Sequence, residues 1–445
     1  MNPLTRWSRG LRKLCEARLS QDLRYPELFV GLEGCRSAFN ATNALRTCLF
    51  FGCQPPTFLG IKSLDDIDHL EQSETIDSPS GDIPLAYFGD FTPPFASTAH
   101  RSPMKNTVVC MENYVERAVS IDTYGFPMAM STGSALGSTS LIIGHENDGV
   151  SQSRLQSADD IIFIPQFGTI SSLNVVTTLG LGLFHYHLDQ RGSRSMRVAP
   201  SLSAEQYFSA FSSPKHGDVK EDLRPIHPSY FKLSHEEILR QHEQHVQKIE
   251  KQRCVKISVL YENDFDQRNL GGLIRVCNAF LADVHYVGRK KINVQGAVGT
   301  HLYTQKHHYA EPNVFVDHKF REGQTVLCFL SCEHDFLFSD QECGSTDEEK
   351  LVYEHGLALG MNDVHLDSPD SELKAVLASV VGTASELIIV VPQEGKLPSA
   401  EILARCSCRL RILTKDASPC IHRGIPSQTA SGIALQRILS IFVQN

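Results

Sequence analysis

Two periods of apolar residues alternate along this chain. Short continuous runs, 29–32 (FVGL), 140–143 (SLII), 161–164 (IIFI), 257–261 (ISVLY) and 387–391 (LIIVV), have the length and bounding Gly, Pro, Asn or Glu residues of buried strands. Apolar helical patterns follow residues 33, 174, 262 and 427. Strand-type runs alternating with helical ones predict an α/β fold with a largely parallel sheet.

The pattern occurs twice, in the same order. Residues 29–53 read FVGLEGCRSAFNATNALRTCLFFGC and residues 257–283 read ISVLYENDFDQRNLGGLIRVCNAFLAD. Each places a Glu, an Asn and an Arg at equal intervals: Glu33, Asn40 and Arg46, then Glu262, Asn269 and Arg275. Each continues through a helical pattern to a short strand, ending at Gly60 and Gly288. Further on, TSLIIGHENDGVS (139–151) matches ELIIVVPQEGKLP (386–398), with Glu146 and Glu394 in the turns. A third pair, 161–184 and 421–442, sets a Ser in a Gly/Pro turn before an apolar helix. Three matches in one order predict a tandem duplication.

The expected boundaries are a basic extension over 1–24, a first domain over 25–190, a linker over 191–254 and a second domain over 255–445. The linker is polar until Leu233. There Ser234 and Glu237 form a capping box, with Leu233 and Ile238 as a hydrophobic staple, predicting a helix over about 234–252.

Composition narrows the class. The chain has 445 residues, enough for two or three domains with ordinary cores. No apolar run approaches the ~20 residues that span a bilayer. Thirteen cysteines include no C-x-x-C pair with a second pair downstream, so reduced thiols in an intracellular chain are expected, and no metal. There is no G-x-x-x-x-G-K-[ST] and no G-x-G-x-x-G after a strand, and the spacing of residues 145–148 is not that of a calcium loop. A nucleotide-binding enzyme is therefore disfavoured.

The net charge is −9, so any grip on a polyanion must be local. Basic spots lie at 6–13, 248–256 and 289–291; each also reads as a solvated face. The first 20 residues hold Arg6, Arg9, Arg12, Lys13 and Arg18 against Glu16. A mitochondrial presequence and a basic helix that touches RNA both fit, leaving cytoplasm and mitochondrion open.

The candidate chemistry lies in the turns. Gly144 and Gly149 flank Glu146; Ile164, Pro165, Gly168, Ser172, Leu173 and Asn174 follow. Glycines let backbone approach a ligand, and Ser172 and Asn174 stand where a helix begins. Taken alone, the same residues are an N-cap and turn glycines. Together, N-x-G-x-x-x-R, G-x-E-x-x-G and I-P-x-x-G followed by S-L-N-V resemble the three signature motifs of the SpoU (TrmH-type) family of the SPOUT superfamily. The resemblance covers both copies, most of the chain apart from the N-terminus and linker.

That resemblance implies two tandem α/β-knot domains, each with a mostly parallel sheet and a trefoil knot. It implies transfer of methyl from S-adenosylmethionine to a ribose 2′-hydroxyl of tRNA or rRNA, by a dimer with its active site near the interface. It assigns the donor to Gly144, Gly149, Ile164, Pro165, Gly168 and Leu173, and the chemistry to Asn40, Arg46, Glu146, Ser172, Asn174, Asn269 and Arg275. The copies depart from the pattern in complementary ways. Asn269 to Arg275 fits the first motif throughout, whereas the first copy has Thr42 in place of the glycine. The first copy keeps the later motifs, whereas the second has Pro392 for the first glycine and Gln428-Thr429 for Leu-Asn.

The expectation is an internal pseudo-dimer with one composite site, joining the donor pocket of the first copy to Asn269 and Arg275 of the second. Two alternatives stand beside it: each copy's motifs serve its own site, or the chain is an inactive RNA-binding or ribosome-assembly factor that kept the fold.

Overall fold

The computed structural model describes residues 23–35, 37–60, 87–88, 106–113, 115, 117–128, 137–145, 148–170, 172–194, 233–253, 255–263, 267–320, 324–332, 361–393, 397–414 and 424–442. The N-terminal basic segment, Glu146 and Glu394 lie outside these residues.

The chain groups into two compact units. Unit 1 comprises 1–164, 178–191 and 418–424; unit 2 comprises 165–177, 192–417 and 425–445. The grouping cuts across the two matched halves of the sequence at two places: residues 165–177, which carry most of the third motif of the first half, belong to unit 2, and residues 418–424 of the second half belong to unit 1.

Unit 1 contains β1 (Leu28–Glu33), α1 (Ala38–Phe51), β2 (Thr57–Leu59), β3 (Tyr87–Phe88), β4 (Asn106–Met111), β5 (Val119–Ser120), β6 (Ser138–Ile143), α2 (Gln152–Ser157) and β7 (Asp160–Phe163). It also holds most of α3 (Val175–Gln190). All strand pairs are parallel, in the order β3-β2-β1-β6-β4-β7-β5. Strands buried on both faces need apolar side chains on both, which is why β6 reads as a run rather than an alternation; all six of its residues are buried. Ser37 caps α1, accepting from the Asn40 amide, and Gly52 ends it in the left-handed conformation at φ 71°. Gly182 brings α3 against Met111 and Leu141 of the sheet.

Unit 2 contains α4 (His235–Arg253), β8 (Lys256–Asn263), α5 (Gln267–Ala279), β9 (Asp283–Gly288), β10 (Lys306–Tyr309), α6 (Pro312–Phe320), β11 (Thr325–Ser331), β12 (Asn362–His365), α7 (Asp370–Val381), β13 (Glu386–Val391), α8 (Ala400–Leu403), β14 (Cys406–Arg411) and α9 (Ser427–Phe442). Its sheet is also all parallel, in the order β10-β9-β8-β13-β11-β14-β12. Counted within each unit, the two orders are the same. Leu260, Val287, Phe315, Leu327, Ile388 and Ile402 form one buried cluster between sheet and helices. The capping box is present at the start of α4: the Glu237 amide donates to Ser234 Oγ at 3.3 Å and the Ser234 amide to Glu237 Oε2 at 2.8 Å.

Both units use the Glu at the end of their first strand alike. Glu33 accepts the amide of Ser151, the residue before α2, and Glu262 accepts that of Ser399, the residue before α8, each at 2.9 Å. These carboxylates fasten the end of the first strand to the start of a short helix far along the chain.

No helix among the described residues is long and apolar enough to cross a membrane.

Candidate active site

In unit 2, β8 leads into α5, which carries Asn269 in its first turn and Arg275 two turns on. Both side chains are buried. Gly271 allows the turn to be covered: a Cβ there would lie 2.3 Å from the Gln295 carbonyl oxygen and 2.7 Å from that of Asn293. Arg275 donates from Nε to the Ser172 carbonyl at 2.9 Å and from Nη2 to the Ser172 hydroxyl at 2.8 Å. The guanidinium stays charged at any working pH and offers donors in a fixed fork, so it positions Ser172 and presents positive charge without acting as a base. A hydroxyl that accepts one hydrogen bond still has its own proton to donate.

The rest of the third-motif loop is fastened to the same helix. The Phe167 amide donates to the Ala279 carbonyl at 2.8 Å. Asn278, three residues beyond Arg275, accepts from the Thr169 amide at 2.9 Å and the Thr169 hydroxyl at 3.0 Å. Gly168 lies so close that a Cβ would stand 2.2 Å from the Asn278 carbonyl oxygen. Leu173 is buried, and Asn174 Oδ1 accepts from the Val176 amide at 2.8 Å, which starts α3. The helix-cap reading of Asn174 is thus realised. Pro165, half-buried, opens the segment.

In unit 1, the second motif follows β6. The amides of His145 and Gly149 donate to each other's carbonyls at 3.0 and 2.9 Å, closing a tight turn. Only glycine fits either end. A Cβ on Gly144 would lie 2.1 Å from the Gly149 carbonyl carbon; Gly149 has φ 68° and sits against Glu112, whose Oε2 would be 2.2 Å from a Cβ. Glu112 accepts from the Val150 amide at 2.6 Å and the Asn113 amide at 3.0 Å. Burial raises its carboxyl above the ordinary value, against the lowering effect of those two amides. Ile164, the residue after β7, is buried.

Also in unit 1, Asn40 and Arg46 of the first copy are buried on α1, and Arg46 donates from Nε to the Gly424 carbonyl at 2.7 Å. Each motif arginine thus donates from Nε to a loop carbonyl.

The later motifs of the second copy are filled by their own side chains. Ser427 donates its hydroxyl to the Pro392 carbonyl at 2.8 Å, and Gln393 donates to the Glu262 carbonyl. Gln428 is buried with its Oε1 against Gly272. The buried Thr429 hydroxyl has no hydrogen-bond partner among the described residues.

Sequence reasoning missed Asn278 and Glu112. The i+3 spacing from Arg275 marks Asn278 as a neighbour on the same helix face. Glu112 follows β4, and neither β4 nor β11, which takes the same place in the other sheet, lies within the matched sequence segments.

Residues 27–184 match the SpoU rRNA Methylase family. The tRNA (guanosine(18)-2′-O)-methyltransferase of Aquifex aeolicus (strain VF5) is 36% identical over 92 residues, 20% of this chain and 43% of that protein. The chain thus matches less than half the length of this curated relative. Among solved structures, the A. aeolicus TrmH/SpoU tRNA modifying enzyme is similar at 16% identity over 44% of this chain and 82% of that one, with a TM-score of 0.27. The SpoU methyltransferase AviRb of Streptomyces viridochromogenes, in complex with AdoMet, is similar at 12% identity over 41% of this chain and 57% of that one, with a TM-score of 0.26. With the motif turns between β6 and α3 inside the matched span, residues 27–184 are a domain of the SpoU methylase family.

Proposed function

We propose that this protein is an S-adenosylmethionine-dependent RNA methyltransferase acting on a ribose 2′-hydroxyl of tRNA or rRNA. We infer further that it arose by tandem duplication of one knotted SpoU domain and works as an internal pseudo-dimer. The identical strand order of the two sheets supports the duplication. The observation that carries the function is the pairing of Arg275, from the first motif of the second copy, with Ser172, from the third motif of the first copy.

The chain's own residues support the donor assignment. Gly144 and Gly149 form a turn in which a Cβ would overlap backbone or a half-buried carboxylate, and Gly168 is held as tightly in the following loop. Such side-chain-free backbone suits a ligand read by amides and carbonyls. Gly144, Gly149, Ile164, Pro165, Gly168 and Leu173 are the residues proposed to hold it. When bound, S-adenosylmethionine supplies an electrophilic methyl group on a sulfonium.

A ribose hydroxyl is a weak nucleophile and must be oriented and deprotonated. Arg275 stabilises negative charge developing on the 2′-oxygen, and a phosphate of the RNA takes the proton. Ser172, fixed by Arg275, offers its hydroxyl to the ribose. Asn174, fixed as the cap of α3, sets the end of the same loop. Asn269 and the segment with Glu146 complete the proposed catalytic set, with Asn40 and Arg46 as its counterparts on the first copy.

The test is methyl transfer from labelled S-adenosylmethionine to total RNA, with Arg275→Ala and Arg46→Ala compared. Loss with the first and retention with the second supports the composite reading; the reverse overturns it. The filled motif of the second copy favours one competing reading, an RNA-binding or assembly factor without chemistry. Calorimetry separates them: one tight donor site per chain supports the enzyme, and none supports the factor.

A further inference from the structure

The chain is acidic overall, yet between Asp283 and Glu311 it has no acidic residue. That stretch holds Arg289, Lys290, Lys291 and Lys306, together with four histidines. Arg289, Lys290 and Lys291 are all exposed and lie on the loop that follows β9.

Their backbone is tied down on the side facing the protein. Asn263 Nδ2 donates to the carbonyls of Arg289 at 2.8 Å and Lys291 at 3.2 Å, and the Arg289 amide returns a bond to the Asn263 carbonyl at 3.1 Å. Tyr286 donates its hydroxyl to the Lys290 carbonyl at 3.3 Å. All three carbonyls of the triplet are therefore engaged, and the three cationic side chains are left at the surface. Such a loop presents charge without the ordering cost of a mobile one.

The same loop then runs onto the first motif. The Asn293 and Gln295 carbonyls cover Gly271, two residues past Asn269, and Gly296 lies against Gly272. Val298 follows with φ 48°, a left-handed conformation that costs a β-branched residue energy and marks a backbone held by its surroundings.

We infer that residues 289–291 form a docking surface for RNA phosphates, placed by the loop beside the first turn of α5. This rests on the methyltransferase reading for its purpose but not for its test. On a chain of net charge −9 a local cluster of cations offers polyanion binding at this face, and each contacted phosphate releases counterions on binding. The placement next to Asn269 brings a bound strand to the motif helix.

The experiment is filter binding of unfractionated tRNA by the full chain, from about 50 to 250 mM KCl. It compares the wild type with Arg289→Ala/Lys290→Ala/Lys291→Ala and with Lys290→Ala alone. The triple variant is expected to bind at least about tenfold more weakly at the low-salt end, with the log–log salt slope shallower by about 2 to 3; the single variant is expected to lose about one unit of slope. S-adenosylmethionine affinity, measured by calorimetry on the same samples, should not move, and a thermal melt establishes that each variant is folded. Unchanged tRNA affinity and slope in the folded variants overturn the inference. If the wild type binds tRNA through this face but transfers no methyl group, the docking surface stands and the enzymatic reading falls.

Discussion

Arg275 holds Ser172 at two points, its carbonyl at 2.9 Å and its hydroxyl at 2.8 Å, across 103 positions of sequence. A two-point contact fixes orientation as well as distance, and it depends on the planar fork of arginine. Arg275→Lys keeps the charge but cannot span both acceptors. We expect Arg275→Ala to lower kcat about 10²- to 10³-fold and Arg275→Lys to lose most of that, with little change in donor affinity. Steady-state kinetics on methylated RNA decide it; near-wild-type kcat for Arg275→Lys would show that charge alone suffices.

The third-motif loop is seated on α5 by Asn278 and Gly168. Asn278→Ala removes the acceptor for two donors of Thr169, one of them a buried amide. Leaving such donors unsatisfied costs about 1–3 kcal/mol, and Gly168→Ala forces a Cβ against a backbone oxygen that cannot swing away. Both variants are expected to raise the KM for S-adenosylmethionine before they unfold the protein. Chemical denaturation run beside the kinetics separates the effects; an unchanged KM in both would remove this loop from the donor site.

Adjacent glycines of the first motif should respond oppositely. At Gly271 the obstacles to a Cβ are two backbone carbonyls, whereas at Gly272 the obstacle is the tip of the Gln428 side chain, 2.0 Å away. Side-chain tips rotate and backbone does not. Gly271→Ala should therefore lower the melting temperature by several degrees, while Gly272→Ala should be close to neutral, helped by about 0.5–1 kcal/mol of helix propensity. Equal melting temperatures for the two variants would contradict the packing described for residues 293–296.

Unit 2 carries a buried charge that makes its stability pH-dependent. Burial alone would raise the Glu386 carboxyl, but hydrogen bonds from His285, Lys319 and Ser258 outweigh it and hold it well below the usual carboxylate range. A folded-state value below the unfolded one means stability that is fully present above the unfolded Glu value, about 4.3, and lost as pH falls below it toward the folded value. Burial also keeps His285 low, so it joins as a neutral donor rather than a cation. Glu386→Gln leaves Lys319 without its partner at 2.7 Å and should cost about 3 kcal/mol at pH 7. The gap from wild type should narrow in acid. Urea unfolding at pH 7 and pH 3 measures both, and a gap that widens in acid would reverse the sign assigned here.

Much of the local structure was legible because burial on both faces leaves a plain mark. The runs 140–143 and 387–391 stand in β6 and β13, and the capping box at Ser234 starts α4 as read. Matching Glu, Asn and Arg intervals pointed to two equivalent strand–helix segments, and both occur. The roles of Glu33 and Glu262 were not legible, since their partners, Ser151 and Ser399, lie more than a hundred residues away. Asn278 was passed over for the same reason: its partner Thr169 belongs to the other copy.

The sequence by itself marked the strands buried on both faces, the helices that follow them and the matched Glu, Asn and Arg intervals, because side-chain period and turn chemistry act over a few residues. It also determined which residue types were available for chemistry. The tertiary structure decided the company they keep. It put residues 165–177 in the same unit as α5, gave Ser172 to Arg275 rather than to the arginine of its own copy, and filled the second copy's motif with Gln428 and the carbonyl of Pro392. Those pairings rest on buried donors finding acceptors across long separations, which no local pattern of residues encodes.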